Sequence, residues 1–235
     1  MADEGLRALF DDPEEQRAYE EFCANQERGL EPFNLDAPAL VCRWRMHNKR
    51  VPLLNRHIRA LSQRSVQGEP LTHNMLSWAK QHVEWSLTEG SYTQRDGVLM
   101  LVIDVNGNAA MSVGDYEPLA VTDRASLADR ARLAQTEEGE TGVAPEVLCA
   151  VAAGQLLVAA GEHGCGALTL VEQLASTQGV VSRRAALEEV LDASCPFLVS
   201  DEHGVVVADD LDERAAASAD ADFARFLHDG MAKLF

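Results

Sequence analysis

Residues 39–61 read ALVCRWRMHNKRVPLLNRHIRAL, an apolar run followed by a polar turn and a helix-like segment. The run Ala39–Met46 is rich in strand-forming residues, and the polar tetrapeptide 47–50 predicts a turn. A helix is expected from Asn55 to about Gln63, where the pattern changes to helical spacing. This strand, turn and helix open the first of two mixed α and β segments.

The rest of the chain predicts the same mixture of strands and helices. A long helix is expected from Pro70 to Gly90, and the dipeptide Asn106-Gly107 predicts a hairpin turn. Two further hairpins are expected in the second half, and a helix capped by Ser182 is expected to run to Leu191. A polar, acidic stretch centred on residues 136–140 lies between the two halves.

These elements predict an α+β protein in three parts. An N-terminal helix begins after Asp12 as N-cap, and its thin apolar stripe favours a docked acidic appendage over residues 1–36. One α+β domain is expected over residues 37–120 and a second over residues 121–235.

The composition excludes several functional classes. The 235-residue chain carries 38 acidic and 20 basic residues, so its field repels the phosphates of nucleic acids. It has no apolar run of about 18 residues and begins with acidic residues, so we expect neither a membrane span nor a secretory signal. Five widely spaced cysteines favour reduced thiols in the cytoplasm over disulfides or a metal site.

Lysine is the rarest charged residue in the chain. Only Lys49, Lys80 and Lys233 are present, which leaves 152 residues without lysine between the last two. Lysine is the side chain that forms a Schiff base with a carbonyl cofactor or substrate. That chemistry is therefore excluded from residues 81–232.

Two patterns are candidates for binding an anion. Gly164 and Gly166 precede a predicted helix, and a glycine-rich turn at a helix N-terminus can cradle a phosphate. Such turns are also common for conformational reasons alone, and Glu162 would oppose an anion. A cluster of arginines either lines a pocket for a carboxylate or phosphate, or pairs with the acidic N-terminal helix. Its members are Arg43, Arg45, Arg50, Arg56, Arg59 and Arg64.

Several short motifs together resemble the class IV aminotransferases, a family that includes branched-chain and D-amino-acid aminotransferases and aminodeoxychorismate lyase. The strand around Arg45 and the helix segment His57-Ile58-Arg59-Ala60-Leu61 are similar to the family's Arg-bearing strand and its His-x-x-Arg-Leu helix. Residues 164–169, Gly-Cys-Gly-Ala-Leu-Thr, resemble its Gly-Ile-Thr-Arg phosphate turn. The likeness covers most of residues 38–230 and implies the family's two-part fold and a homodimer.

The departures from the family pattern fall on the chemistry. Ala60 stands at the position of the phosphate-contacting Arg, with Arg59 adjacent, and Thr169 replaces the Arg of the phosphate turn. The segment that carries the family's Schiff-base lysine is shortened to about Ala120–Thr141 and contains no lysine. Glu140 is the counterpart of the acid that would hold the pyridine nitrogen. Covalent pyridoxal phosphate is therefore not expected, and non-covalent binding stays open.

The resemblance without the lysine implies a non-catalytic or repurposed homologue that holds a small anionic ligand between its halves. No catalytic residue is assigned. The residues expected to bind the ligand are Arg45, Arg59, Gly164, Gly166, Ala167, Leu168 and Thr169.

Two alternatives stay open at this point. One is an acidic cytosolic protein-interaction module unrelated to these enzymes, favoured by the net charge of −18. The other is an enzyme with a different nucleophile, for which Cys165 beside His163 is the local hint.

Overall fold

Two β-sheets organise the fold, seen in a computed structural model that describes residues 13–28, 38–90 and 92–235. A three-stranded antiparallel sheet in the order β1-β4-β5 forms the first part of the chain. Two short strands, β2 and β3, of two residues each, pair with each other in a separate hairpin. The elements are α1 (Pro13–Arg28), β1 (Pro38–Met46), α2 (Leu54–Leu61), β2 (Ser65–Val66), β3 (Glu69–Pro70), α3 (His73–Thr88), β4 (Gly97–Asp104) and β5 (Ala109–Gly114).

Strand β1 has one apolar and one basic face because side chains alternate along a strand. Cys42, Trp44 and Met46 are buried, and they pack with β4 and α3 in the first core. Arg43 and Arg45 point to the opposite face. This alternation places an arginine-bearing surface toward the second half of the chain, where Glu202 pairs with Arg43.

A five-stranded sheet in the order β10-β9-β6-β7-β8 forms the second part of the chain. All its pairings are antiparallel except that of β7 with β8, which is parallel. The elements are α4 (Arg124–Thr141), β6 (Glu146–Ala152), β7 (Gln155–Val158), α5 (Gly166–Thr177), β8 (Val181–Arg184), α6 (Leu187–Leu191), β9 (Pro196–Ser200), β10 (Gly204–Val207), α7 (Glu213–Ala216) and α8 (Ala219–Ala232).

Helices cover both faces of this second sheet, which explains why its central strands are almost continuously apolar. Val147 and Cys149 of β6 pack toward α5 and α8, whereas Leu148 and Ala150 pack toward α4 and α6. The result is a three-layer arrangement in which α4 and α5 lie on opposite sides of the sheet.

The predicted α+β fold with two mixed halves is confirmed, and two local predictions are wrong. The polar, acidic stretch centred on residues 136–140 is instead part of the 18-residue helix α4. This helix is capped by Asp123, whose side chain accepts a hydrogen bond from the Ser126 amide. Ser182 does not cap a helix but lies within β8. The domain boundaries at residues 36 and 120 stay a prediction.

Helix α1 lies against α3. Tyr19 is buried there, and its hydroxyl donates a hydrogen bond of 2.9 Å to Gln81. The predicted cap Asp12 lies outside the described residues. In the part of the chain that the structure describes, every helix is too short or too polar to cross a bilayer.

Candidate functional site

A cavity of about 600 Å³ lies where the two halves meet, and we call it the central cavity. Its walls come from β1, α2, the connection 117–120, α4 and the turn between β9 and β10. This volume falls in the range of small-molecule sites, about 300–1,000 Å³. The charged and imidazole-bearing lining residues are Arg43, His57, Arg64, Glu117, Arg130, Glu137, Glu146, Asp201, Glu202 and His203.

Two of the cavity arginines form short ion pairs with buried carboxylates. Arg43 donates two hydrogen bonds to Glu202, at 2.5 and 2.7 Å. Arg130 donates from Nη2 to Glu146 at 2.6 Å. Burial acts to raise the pKa of Glu202, but the hydrogen bonds from Arg43 oppose it, and the pKa lies below its ordinary value. Glu202 is therefore ionised, and both carboxylates already accept from a guanidinium.

Arg64 is the most buried arginine of the cavity, with 6% of its surface exposed. Its Nη1 donates to Glu137 at 3.1 Å, which is its one side-chain hydrogen bond among the described residues. Burial raises the pKa of Glu137 above its ordinary value, and Arg64 opposes that shift. A guanidinium has five N–H donors, so Arg64 keeps unused donors at the cavity wall.

The N-terminus of α5 is capped by a carboxylate from a distant part of the chain. The Ala167 amide donates to Asp201 at 2.6 Å, and the Gly166 amide donates to the same carboxylate at 3.3 Å. A helix N-terminus attracts an anion because its amides lack acceptors and its dipole is positive there. Asp201 supplies that anion from within the chain.

His57 of α2 closes the other side of Asp201. Its Nε2 lies 3.0 Å from the Pro52 carbonyl and must donate to it, while Nδ1 lies 3.1 Å from Asp201, off the direction of a hydrogen bond. Burial acts to raise the pKa of Asp201, but His57 and the Ala167 amide outweigh it, so the pKa lies below its ordinary value. Asp201 is therefore ionised under ordinary conditions.

Gly166 lets α2 and α5 approach closely. A Cβ at this position would lie 2.5 Å from His57 Nδ1 and 2.9 Å from the His57 backbone nitrogen. Such contacts are shorter than van der Waals distance, so a side chain cannot be accommodated unless α2 moves. The glycine of the predicted phosphate turn thus serves helix packing.

The remaining residues of that turn also have partners within the chain. Ala167 and Leu168 are buried in the core between the second sheet and its helices. The Thr169 hydroxyl donates to the Gly166 carbonyl at 2.8 Å and accepts from Arg56 at 2.9 Å. Gly164 packs against the Leu168 side chain. None of these five residues lines the central cavity.

Neither of the two arginines predicted to bind the ligand lines the central cavity. The Arg45 guanidinium carbon lies 3.1 Å above the centre of the Tyr116 ring, in a separate pocket of about 380 Å³ that Phe235 also lines. Arg59 is exposed on α2. The expected meeting of Arg45, Arg59 and residues 164–169 around one space is therefore not found.

The positions that departed from the family pattern can now be placed. Ala60 lines the central cavity, and Arg64, four residues later and beyond the end of α2, lines it too. Glu140 is exposed and does not line the cavity, whereas Glu137 does. Neither the central cavity nor the smaller pocket contains a lysine.

Sequence reasoning missed the residues that dominate the cavity. Arg130 and Glu137 lie seven positions apart on α4 and share a face. Recognition of the helix from the sequence would therefore have placed them together. His203 and Asp201 lie in a hairpin turn, and their partners are distant in sequence, so no local pattern marks them. Arg64 was included in the arginine cluster but not singled out.

Comparison with solved structures gives clear matches to class IV enzymes. A hypothetical aminotransferase from Mycobacterium tuberculosis matches with a TM-score of 0.58 and 15% identity, over 87% of this chain and 95% of that chain. A putative 4-amino-4-deoxychorismate lyase from Legionella pneumophila matches with a TM-score of 0.57 and 11% identity, over 87% and 97%. The 4-amino-4-deoxychorismate lyase from Pseudomonas aeruginosa matches with a TM-score of 0.50 and 17% identity, over 88% and 93%.

These matches show the fold alone, because the identities are low. The chain has the class IV aminotransferase fold, which confirms the resemblance that the sequence motifs indicated. Searches by sequence match no family model and no curated protein.

Neither a thiol nucleophile nor a metal centre stands out in the described residues. Cys165 is buried, and burial raises the pKa of its thiol well above its ordinary value, which disfavours the reactive thiolate. No group of three or more His, Cys, Asp or Glu residues in the described ranges is arranged to hold a metal ion.

Proposed function

We propose that this protein is a repurposed class IV homologue that binds a small molecule with at most one anionic group in the central cavity and does not carry out Schiff-base chemistry with pyridoxal phosphate. The observation that carries the proposal is the Asp201 carboxylate on the Gly166 and Ala167 amides. A cofactor phosphate at this helix end would meet a buried negative charge.

The donor set of the cavity does not fit pyridoxal phosphate in two further respects. No lysine lines the cavity, so there is no amine to bond the cofactor covalently. Ala60 stands where the family has its phosphate-contacting Arg, and it offers no donor. The cavity itself is retained at a size suited to a small molecule.

The charge of the cavity argues against a multiply charged anion. Five carboxylates and three guanidiniums line it. Two exposed unit charges 4 Å apart interact by only about 1 kcal/mol in water, whereas an unmatched buried charge costs several kcal/mol. A dianionic phosphate therefore binds less well than a ligand with one anionic group or none.

The covalent part of the proposal is tested by incubation with pyridoxal phosphate followed by borohydride reduction and peptide mapping. We expect substoichiometric labelling, confined to Lys49, Lys80 and Lys233. A lysine-free variant, in which all three are changed to Arg, should fold normally and show no trapped cofactor. Stoichiometric labelling with a visible absorbance band in the native protein would overturn the proposal.

The interaction-module alternative required a fold unlike that of these enzymes, and the fold found here is theirs. An enzyme that uses Cys165 as nucleophile is disfavoured by the buried, protonated thiol. Full retention of a measured activity in Cys165→Ala would remove that option.

The proposal includes a homodimer, as the resemblance implies, in the cytoplasm, as the widely spaced cysteines favour. Leu133 is 74% exposed and lines the central cavity, and Val121, which directly follows the lining residue Ala120, is 55% exposed. Exposed apolar side chains at a cavity mouth favour contact with another chain. Light scattering coupled to size-exclusion chromatography tests the dimer.

A further inference from the structure

The buried nitrogen atoms without partners point to the part of the cavity that receives a ligand. In the described residues, three buried side-chain N or O atoms lack a hydrogen bond: Nδ1 of His57, Nε of Arg130 and Nδ1 of His203. All three residues line the central cavity. His57 Nδ1 has the Asp201 carboxylate nearby, so Arg130 Nε and His203 Nδ1 are the two atoms without any acceptor among the described residues.

Arg130 and His203 belong to one cluster of charges. The His203 side chain is only 5% exposed, and its Nε2 lies 3.8 Å from Glu202. Burial lowers the pKa of His203 below its ordinary value; Glu202 and Glu146 oppose the shift, and Arg130 and Arg43 add to it. The cluster therefore contains two ion pairs around a neutral imidazole, and its formal charge is zero.

The orphan atoms define the chemistry of the missing group. Arg130 Nε is a donor only, and neutral His203 can donate from Nδ1. None of the orphan atoms is an oxygen, because the buried carboxylates of the cavity already have donors. A ligand that brings acceptor oxygens satisfies Arg130 Nε, and it satisfies His203 Nδ1 when that nitrogen carries the proton, whereas an ammonium group cannot accept from Arg130 Nε.

We propose that Arg130 and His203 bind the carboxylate of a small monocarboxylic acid whose apolar body fills the rest of the central cavity. The inference rests on the proposed function, since it names the ligand class of the same cavity. A carboxylate accepts from two donors at once and gains charge-assisted hydrogen bonds from the guanidinium. Apolar side chains are available for the body of the ligand: Val41, Trp44, Leu61, Leu119, Leu133 and Ala134.

Glu117 is a cavity carboxylate that opposes an anion without a positive partner of its own among the described residues. It is exposed, and the structure gives it no ion pair among the described residues. An exposed charge is screened by water and salt, while the donors of Arg130 and His203 are buried. The buried donors therefore decide the preference.

The experiment uses straight-chain carboxylates from acetate to octanoate as probes, with calorimetry and thermal shift on the full chain. Affinity should rise with chain length by up to about fourfold per methylene because the apolar walls remove the chain from water. Primary amides of equal length should bind about tenfold more weakly, and the matching amines should not bind. Equal binding of acids and amides would overturn the choice of a carboxylate.

The position of the site is tested with variants of one helix. Arg130→Ala should weaken octanoate binding about tenfold or more, because it removes the charged donor. Arg132→Ala is the matched control, since Arg132 is an exposed arginine on the same helix and should leave the affinity unchanged. His203→Asn, which keeps a polar side chain, should also weaken binding, and an NMR shift of the His203 imidazole on adding octanoate gives a readout independent of affinity.

The outcomes separate the two proposals. Carboxylate binding that is equally strong in the Arg130→Ala and Arg132→Ala variants would overturn this site and leave the proposed function intact. Absence of carboxylate binding in the native protein would overturn the ligand class. Stoichiometric cofactor trapping by borohydride would instead overturn the proposed function on which the inference rests.

Discussion

The N-terminus of α5 and the corner formed by Arg130 and His203 use their hydrogen-bond donors in opposite ways. At the helix end, the amides of Gly166 and Ala167 are satisfied by Asp201, a carboxylate of the same chain. At the corner, two buried nitrogen atoms have no acceptor within the described residues. The same fold thus satisfies the donors at one position with its own carboxylate and leaves the donors at a second position available to a ligand.

The difference indicates that unsatisfied hydrogen-bond donors, rather than similarity to a family motif, mark the ligand-binding region. The glycine-rich turn resembles a phosphate site in sequence, yet it has become part of the packing between α2 and α5. The corner has no recognisable motif, yet it holds the unsatisfied groups. The predictions below test whether the first region is closed and the second is open.

The largest effect is expected from removing the internal anion. Asp201→Ala should lower the free energy of unfolding by about 3 kcal/mol, because it leaves two helix amides and His57 without their partner. Urea unfolding measures the loss. Asp229→Ala, at an exposed carboxylate, is the control and should change stability by less than about 0.5 kcal/mol.

The same variant gives a rescue test. If Asp201 occupies an anion site, sulfate should restore more stability to Asp201→Ala than it adds to Asp229→Ala, where only its general salting effect acts. Equal gains in the two variants would show that the helix end is not an anion site.

A contrast between two glycines is the next largest effect. Gly166→Ala should destabilise the protein by about 1–3 kcal/mol, because its Cβ would overlap His57. Gly139→Ala in α4 meets no neighbouring atom within 4 Å and should stabilise it by about 0.5–1 kcal/mol through helix propensity. Thermal unfolding of both variants checks the opposite signs.

Acid unfolding should reveal the same carboxylate. The pKa of Asp201 is lower in the folded protein than in the unfolded chain, so its contribution is present above the unfolded value, about 3.9, and is lost as the pH falls toward the folded value. The stability of Asp201→Asn should therefore fall less steeply below about pH 4 than that of the native protein. Parallel curves would contradict the assigned pairing.

The smallest effect concerns the exposed carboxylate of the open region. Glu117→Gln should change the free energy of unfolding by less than about 0.5 kcal/mol, because the residue is exposed and unpaired in the described structure. It should tighten octanoate binding about twofold at low ionic strength and less at high salt. Calorimetry at two salt concentrations checks this dependence.

The fold was largely predictable because its signals are local. Strand β1 and the hairpins follow apolar alternation and turn residues, and short motifs indicated the class IV arrangement. Helix α4 escaped notice because its buried face is mostly alanine, as at Ala131 and Ala134, and alanine gives a weak apolar pattern beside many charges. Strand β8 was missed because Ser182 is a good helix cap and because pairing with β7 is a tertiary effect.

The site was less predictable because its contacts join distant parts of the chain. Asp201 caps a helix that begins 35 positions earlier, at Gly166. A pattern of residue types indicated that the Gly164–Thr169 turn could accept an anion, but it could not indicate which anion. The ligand-binding roles expected of Arg45 and Arg59 stay predictions: Arg45 packs on the Tyr116 ring, Arg59 is exposed on α2, and neither lines the central cavity.

Asp201 also connects structural elements from both halves of the chain. Its backbone carbonyl accepts from the Arg45 amide at 3.0 Å, while its side chain holds α5 and lies against His57 of α2. One residue of the turn between β9 and β10 thereby ties together the first sheet and a helix from each half. The two halves should then open together, so hydrogen exchange at the Ala167 amide should report the cooperative unfolding of the whole molecule rather than local fraying of one helix.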